Sequence, residues 1–460
     1  MHDLLDRAVA FAERKGASQA EAFFAESKIL NALIEKKQVK SVDSKSDAGI
    51  GTRVILHKNG RNFLGSAYTM DSTRSGIETM ISEAVSIAMS KPEQKEMKSF
   101  HDSKKVQSVE KLFDGRIPSV EPNEACDLAK KMIESASVNE NIASISGDLH
   151  FISYRTVVKN SLGVEAGYSS TIFKASSYVT AKNETSVGSA GDDLSSRILD
   201  EEKAIEVARH SASMALSQLD PEPIGGGLMD LILGPDAVAG LLENTFAVMV
   251  RADQIQRNQS PYVGKIGTQV ASERINIVDE GKCPGAVGSK PYDDEGYPTG
   301  TTVVVDKGVL KSFLYNVSSA SKEGRESTGN ALRPSSGDSV SKYLAEPLVA
   351  HTNLTIAPGT ESFDSIISSV KNGMYVRQII GAHTANRITG EFSVAPLVAY
   401  TIEKGEIKHA VKEAMIGGNI ENVLRKVTAI GKHSKHCQGN FLDTTIVSPI
   451  LKVENISVGA

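Results

Sequence analysis

Tryptophan is absent from the 460-residue sequence, and aromatic residues make up only 5% of it. Proteins that bind single-stranded nucleic acids often stack the bases on aromatic side chains, and this chain has few to offer. The formal net charge of −5 also argues against the basic surface that nucleic-acid binding requires. We therefore expect no nucleic-acid partner.

Cysteine is scarce as well, and long apolar runs are missing. Cys126, Cys283 and Cys437 lie far apart and form no CxxC pair, which indicates a reducing compartment rather than a disulfide scaffold. No apolar run reaches the roughly 18 residues of a membrane span. The first residues, MHDLLDRAVAFAERKG, carry charges within their apolar pattern and do not resemble a signal peptide. The sequence predicts a cytoplasmic protein without a membrane partner.

Residues 220–227 (DPEPIGGG) combine two prolines with three glycines, which predicts a boundary between an N-terminal domain, 1–222, and a C-terminal domain, 223–460. In the first half, apolar residues at helical spacing alternate with strand-like segments, which predicts an α+β domain whose helices cover an antiparallel sheet. In the second half the period is mostly two, with hairpin turns at 306–308 and 403–405, which predicts a barrel-like, mostly antiparallel β domain. The helices are predicted at 4–15, 74–90, 122–138, 200–218, from Asp236 onward, 360–372 and 421–431.

No complete enzyme signature is present. The ten histidines contain no HExxH, HxxEH or HExxxH pattern, and the sequence has no GxSxG elbow, no Walker loop and no GxGxxG fingerprint.

Three polar segments remain as candidates for chemistry. Asp293, Asp294 and Glu295 suggest either a site for a hard cation or a solvated turn. His436 and Cys437 are both metal-binding residue types, but neighbours on an extended segment point to opposite sides, so a shared metal is disfavoured. Residues 381–393 (GAHTANRITGEFS) suggest either the lining of a cleft or a hydrogen-bonded structural turn.

Several long segments resemble the TldD/PmbA family, also called TldD/TldE or modulators of DNA gyrase. The resemblance spans the chain and is weaker over 1–220. The matching segments are LILGP (231–235), PGAVGSKPYDDEGYPT (284–299), STGNALRP (327–334), GAHTANRITGEFS (381–393), IGGNIENVL (416–424) and LKVENISVG (451–459).

The resemblance distinguishes two kinds of subunit. TldD-type chains carry HExxxH on the helix after the Gly-Pro, with a downstream cysteine as third zinc ligand. Placed on this sequence, the motif positions hold Glu243, Asn244 and Val248, while Cys437 falls where the cysteine is expected. A valine cannot bind metal, and an amide does not act as a general base. The chain therefore resembles the PmbA/TldE-type subunit, without a zinc or other cofactor of its own.

For such a subunit the resemblance implies a cytosolic metallopeptidase complex that degrades unfolded or extended peptides. A TldD-type partner bearing HExxxH would supply the zinc, and this chain would supply scaffold and part of the peptide path, with no catalytic residue. Extended peptides suit recognition through their backbone groups. The candidate path residues are His383, Thr384, Asn386, Arg387, Thr389 and Asn419.

Two other interpretations stay open at this point. One is a self-sufficient metallopeptidase with a rearranged site that uses Glu243, Cys437 and His436. The other is a non-catalytic homodimer that binds peptides or modulates gyrase.

Overall fold

The computed structural model describes residues 2–93, 97–335 and 340–459. Within them, no helix is long and apolar enough to cross a membrane. The helices are α1 (His2–Arg14), α2 (Arg74–Ser90), α3 (Pro122–Ala136), α4 (Glu201–Ser217), α5 (Pro235–Asn244), α6 (Phe246–Met249), α7 (Ala252–Gln256), α8 (Val317–Lys322), α9 (Phe363–Ser368) and α10 (Ile420–Arg425), with 3-10 turns at Ile117–Ser119, Lys342–Leu344 and Ala382–Thr384. The strands are β1 (Gln19–Glu35), β2 (Gln38–Lys58), β3 (Arg61–Thr69), β4 (Ile142–Asn160), β5 (Glu165–Lys182), β6 (Val187–Ser196), β7 (Glu222–Pro223), β8 (Gly227–Leu233), β9 (Ile277–Glu280), β10 (Thr301–Asp306), β11 (Val309–Leu310), β12 (Ala331–Leu332), β13 (Leu348–Val349), β14 (Asn353–Ile356), β15 (Asn372–Ile380), β16 (Glu391–Glu403), β17 (Glu406–Lys412), β18 (Met415–Asn419), β19 (Val427–Gln438) and β20 (Thr445–Gly459).

The first six strands form one antiparallel sheet in the order β3-β2-β1-β4-β5-β6. Side chains alternate across it, as a strand period of two requires. On β1, Phe24 packs among residues of α1 and α2, while its neighbour Phe23 packs against loops of the second half. The predicted Asn-Gly hairpin joins β2 to β3, with Asn59 and Gly60 at φ of 52° and 74°. The prediction of an antiparallel sheet covered by helices is confirmed.

The second half contains a closed barrel of five strands, β20-β8-β15-β16-β18, because β18 pairs with both β16 and β20. Four of the five pairings are antiparallel, and β15 runs parallel to β8. Helix α5 follows β8 directly, and its apolar residues join the same core as the barrel strands. The predicted barrel-like antiparallel architecture is confirmed, whereas the domain limits of 1–222 and 223–460 stay a prediction.

Two of the predicted helices are much shorter than the sequence pattern suggests. Segment 421–431 forms a helix only up to Arg425 and then enters β19, where Val427, Thr428 and Ile430 suit a strand because they are β-branched. Segment 360–372 is helical only over Phe363–Ser368. In 421–431 the pairing of β19 with β20 overrides the helical spacing of the apolar residues. The helix in 360–372 begins after its cap Ser362 and ends at Ser368, before β15 begins at Asn372.

Two glycines of β2 allow the second half of the chain to lie flat on the first sheet. A Cβ added at Gly49 would lie 2.4 Å from the Tyr343 ring, and a Cβ added at Gly51 would lie 2.4 Å from the Tyr343 carbonyl oxygen. The Tyr343 hydroxyl donates a hydrogen bond to Asp47 Oδ1 at 2.8 Å. The 3-10 turn at Lys342–Leu344 therefore requires residues without a side chain at positions 49 and 51.

We predict that Gly51→Ala destabilises the protein by about 1–3 kcal/mol, the usual cost of overpacking, because the backbone of Tyr343 must move. Urea unfolding would measure the loss. The control is Gly417→Ala, since a Cβ there meets nothing within 4 Å. Equal stability of the two variants would contradict the prediction.

Candidate functional site

Helix α5 presents the residues that the sequence places at the zinc-motif positions. It begins after Gly234 with Pro235 at its first position, where a missing N–H costs nothing. It ends at Asn244 because Thr245 leaves the helical conformation, at φ −132° and ψ −84°, while its hydroxyl donates to the Leu241 carbonyl at 2.5 Å. A second short helix, α6, follows. The motif positions are therefore divided between two helices, α5 and α6.

Glu243 points to two partners outside its helix. Its Oε2 lies 3.1 Å from His351 Nε2, and its Oε1 accepts a hydrogen bond from the Asn440 backbone N–H at 2.9 Å. The side chains of Glu243 and His351 are only 8% and 4% exposed. The carboxylate thus connects α5 with the segments before β14 and after β19.

The electrostatics indicate that this pair is ionic. Burial alone would lower the pKa of His351, but the charges of Glu243 and Asp279 outweigh it and raise that pKa above 6.5. Burial likewise disfavours the ionised Glu243, yet His351, the Asn440 N–H and the charge of Arg387 lower its pKa below 4.5. At pH values between these two shifted pKa values, Glu243 and His351 therefore form a buried carboxylate–imidazolium pair.

The side chains at the two other motif positions offer no unbonded atom that could coordinate a metal. The Asn244 amide donates to the Gly240 carbonyl at 3.0 Å, and its oxygen faces Asn440 Nδ2 at 3.4 Å. Val248 is an apolar, half-buried residue of α6.

Cys437 lies on β19 near the start of α5. Its buried Sγ donates to Asp236 Oδ1 at 3.4 Å. Burial, together with the negative charge of Asp236, raises the pKa of the Cys437 thiol well above its ordinary value. The neighbouring His436 side chain is exposed. The two neighbours differ in environment, and the Cys437 thiol is protonated.

A charged seam next to Cys437 joins the two halves. Lys435 Nζ lies 2.8 Å from Asp192 Oδ1 and 2.9 Å from Asp236 Oδ1. Asp192 Oδ2 lies 2.7 Å from His210 Nδ1, and Arg377 reaches His210 Nε2 at 2.8 Å. Although burial opposes ionisation, His210 and Lys435 lower the pKa of Asp192 to about 2. The sequence pattern singled out none of these five residues as functional.

The candidate path residues lie in and beside the loop that joins β15 to β16. The loop packs against α5, since a Cβ added at Gly240 would lie 3.8 Å from Ala382 Cβ. Several of its polar groups stabilise the loop itself. Asn386 Oδ1 accepts from the Ile388 and Thr389 N–H groups, and Asn419 Nδ2 donates to the Thr389 carbonyl at 2.7 Å.

Other candidates on this loop differ in exposure and bonding. Asn419 also caps α10, and the Thr384 hydroxyl donates to the Gly381 carbonyl at 2.8 Å. His383 and Arg387 are exposed. The interpretation of 381–393 as a hydrogen-bonded structural turn holds for Asn386, and the peptide path stays a prediction.

Both interpretations of the acidic segment are wrong. Asp293, Asp294 and Glu295 are each 1% exposed, which excludes a solvated turn. Asp294 pairs with Lys342 at 2.9 Å, and Glu295 pairs with Arg53 at 3.0 Å. Asp293 accepts from three backbone N–H groups. The oxygens that a cation would need are already engaged with protein groups.

Comparison with known proteins identifies the family. Residues 226–460 match the model of the PmbA/TldA metallopeptidase C-terminal domain, 115–219 match the central domain, and 20–88 match domain 1. The chain belongs to the PmbA/TldD family. Two of the family's domain models thus share the single six-stranded sheet, whose strands run from Gln19 to Ser196.

Relatives of the PmbA/TldD chain cover its whole length. An uncharacterised protein of Methanocaldococcus jannaschii is 29% identical over 96% of this chain and 98% of its own. A candidate modulator of DNA gyrase from Thermotoga maritima has a TM-score of 0.87 at 26% identity, covering both chains fully. TldE from Thermococcus kodakarensis has a TM-score of 0.87 at 22% identity, over 99% and 100% of the chains, and so shares the fold. Several metalloproteases match over about half of this chain and about half of their own length.

The family implies a zinc ion, and the residues at the motif positions do not fit one. A catalytic zinc needs three protein ligands and an open position. Here Glu243 is engaged by His351 and Asn440, the buried Cys437 thiol donates to Asp236, and Val248 has no donor atom. Across residues 2–93, 97–335 and 340–459, no three His, Cys, Asp or Glu side chains are grouped so as to hold a metal.

The sequence reasoning missed His351 and Asn440. Neither belongs to a short motif, and they lie 108 and 197 positions from Glu243. The available signal was Glu243 itself, because a carboxylate on an apolar helix stripe requires a buried partner.

We predict that His351→Gln destabilises the protein by about 3–5 kcal/mol near pH 5.5, because Glu243 stays buried without its cation. The pKa of His351 is raised above 6.5, so the pair's contribution is complete below that value and is lost as pH rises through the raised pKa. The pKa of Glu243 is lowered below 4.5, so its contribution is complete above 4.5 and is lost on further acidification. Urea unfolding at about pH 5.5 and about pH 9 should therefore show the larger loss at the lower pH.

The control is His409→Gln, which removes an exposed pair, with His409 Nδ1 3.2 Å from Glu222. We expect a loss below about 1 kcal/mol at either pH. An equal effect of His351→Gln at both pH values would contradict the ionic assignment.

Proposed function

We propose that this chain is the PmbA/TldE-like subunit of a TldD/TldE-type cytoplasmic metallopeptidase complex that degrades unfolded or extended peptides. In this proposal it binds no zinc, and a TldD-type partner bearing HExxxH supplies the metal. The chain contributes scaffold and part of the peptide path.

The observation that carries the proposal is the buried pair of Glu243 and His351. A catalytic zinc site needs a donor set open to solvent on one side. At this helix the chain instead has an ion pair whose two side chains are nearly inaccessible. The family's metallopeptidase activity is therefore better supported in a complex with a second chain than in this chain alone.

The path is proposed to follow His383, Thr384, Asn386, Arg387, Thr389 and Asn419. Hydrogen bonds from Asn386 and Asn419 fix the loop between β15 and β16. Exposed side chains of this loop, such as His383 and Arg387, therefore lie on a rigid support. Preorganised surfaces lose less entropy on binding a flexible ligand.

We expect the purified chain alone to contain no stoichiometric zinc and to cleave no unfolded peptide, whereas co-expression with a HExxxH-bearing chain yields a zinc-containing, active complex. Elemental analysis and a fluorogenic peptide assay measure both. Cys437→Ser should leave zinc content and cleavage by the complex within about twofold, since in this proposal the partner chain holds the zinc and the Cys437 thiol is already bonded to Asp236. One zinc per isolated chain, lost in Cys437→Ser together with activity, would favour the self-sufficient enzyme instead.

We also predict that His383→Ala lowers kcat/KM of the assembled complex for an unfolded peptide, because the ring is exposed on the proposed path. Size-exclusion chromatography should show unchanged assembly. The control is His409→Ala on β17, which is equally a surface histidine. Unchanged turnover in His383→Ala would remove His383 from the path.

A further inference from the structure

Helices α1 and α2 leave a groove between them on the outer side of the first sheet. Both helices pack on the sheet face that carries Phe24, whereas the second half of the chain packs against Phe23 on the other face. The groove has a narrower part of about 320 Å³ and a shallower part of about 590 Å³, and Phe11 and Glu78 line both. The residues that line this α1–α2 groove belong to α1, α2 and their immediate neighbours, and not to α5.

The narrower part of the groove has an apolar base. Leu4 and Phe11 of α1 line it together with Ile77 of α2. Ile77 is 3% exposed, and Leu4 and Phe11 are half-buried. Since these side chains are recessed while the arginines around them are exposed, a convex partner contacts the apolar base more fully than a flat lipid surface does.

Positive charge surrounds the apolar base. Arg7, Arg14 and Arg74 line the narrower part, and Arg74 pairs with Glu78 at 2.8 Å. Among the described residues, the Arg7 guanidinium makes no hydrogen bond or ion pair, and that of Arg14 only stacks on the Phe11 ring, 5.4 Å from its centroid. Two of the three guanidinium groups can therefore bind a carboxylate from outside the chain.

The side chains that α1 contributes form a stripe along the helix. They recur three and four positions apart, as one helix face requires: Leu4, Arg7, Phe11 and Arg14. The carboxylate of Asp6, also on α1, is engaged by Lys159 of β4 at 2.8 Å. Helix α1 therefore presents apolar and cationic side chains in alternation to the groove.

Helix α2 forms the other wall of the groove with small side chains. They recur four, three and four positions apart along the shallower part: Ser75, Thr79, Ser82 and Ser86. Small side chains allow a second helix to lie close, at an interaxial distance of about 8–10 Å. The shallower part also contains Lys15 and Glu83, so the excess positive charge lies at the narrower part.

We propose that the α1–α2 groove binds an amphipathic helix of a partner protein. In this proposal the apolar stripe of the helix packs on Leu4, Phe11 and Ile77, and carboxylates beside the stripe pair with Arg7 and Arg14. Helices commonly bind in grooves of this kind through apolar residues at helical spacing. The inference does not depend on the proposed function, because the groove involves neither α5 nor the loop between β15 and β16.

The test uses the full chain and four labelled 18-residue peptides in an alanine background, which favours helix formation. Three peptides share one leucine stripe at helical spacing and carry Glu, Gln or Lys beside it. The fourth has the composition of the Glu peptide with its stripe scrambled. Fluorescence anisotropy should show the tightest binding for the striped Glu peptide, and scrambling should weaken that binding about tenfold.

Reversing the charge of the groove should reverse the preference among the peptides. Arg7→Glu/Arg14→Glu should weaken binding of the striped Glu peptide about tenfold, the scale of two exposed ion pairs, and make the Lys peptide the tightest of the set. The gain for the Lys peptide also shows that the variant is folded. The matched control is Lys131→Glu/Arg209→Glu, which makes the same change of net charge at exposed residues of α3 and α4 and should leave every affinity within about twofold.

Absence of peptide binding, equal affinities for the striped Glu, Gln and Lys peptides, or equal effects of the two double variants would overturn the proposal. Two other occupants are tested in parallel. Binding to phosphatidylglycerol vesicles that Arg7→Glu/Arg14→Glu abolishes would assign the groove to an anionic lipid surface. Self-association that the same variant abolishes in size-exclusion chromatography would assign it to a second copy of the chain. Either result without peptide binding would overturn the proposal.

Discussion

The structure depends on one buried arginine between the two halves. Arg53 on β2 makes two hydrogen bonds to Glu21 on β1, at 2.9 and 2.6 Å, and a third to Glu295 of the second half at 3.0 Å. All three side chains are at most 5% exposed. Removing one partner of such a group leaves a charge in the interior, at a cost of about 3–5 kcal/mol. The sheet and the 290–299 segment are therefore fixed relative to each other.

From this contact a chain of hydrogen bonds leads to the candidate site. Asp293 holds the Ala331 N–H, and Asn330 beside it donates to Asp279 at 2.6 Å. Asp279 in turn accepts from the backbone and hydroxyl of Thr352. These bonds fix the residue next to His351, which places the imidazole within reach of Glu243. The electrostatic partner of Glu243 is thus a side chain from a distant part of the chain.

The sequence pattern sufficed wherever structure depends on neighbours along the chain. The amphipathic helix 74–90, the Asn59-Gly60 hairpin and the strand alternation were all predictable. The acidic segment was misinterpreted because its partner Arg53 lies 242 positions away from Glu295, and no local pattern reports such a contact. For the same reason the sequence identified Glu243 as the residue at the first motif position, but it did not indicate that Glu243 pairs with His351.

The buried ion pair of Glu243 and His351 determines how α5 packs. A helix that binds a catalytic metal must leave a coordination position open to substrate and water. Helix α5 instead has its ion pair buried. Glu243 contacts His351 and the Asn440 backbone N–H, and Gly240 packs against Ala382 in the loop between β15 and β16. The buried ion pair makes α5 a rigid support for the loop between β15 and β16, because the pair cannot separate without leaving an unpaired charge in the interior. The carboxylate of Glu243 thus links α5 to two distant segments of the chain and, through α5, supports the neighbouring loop.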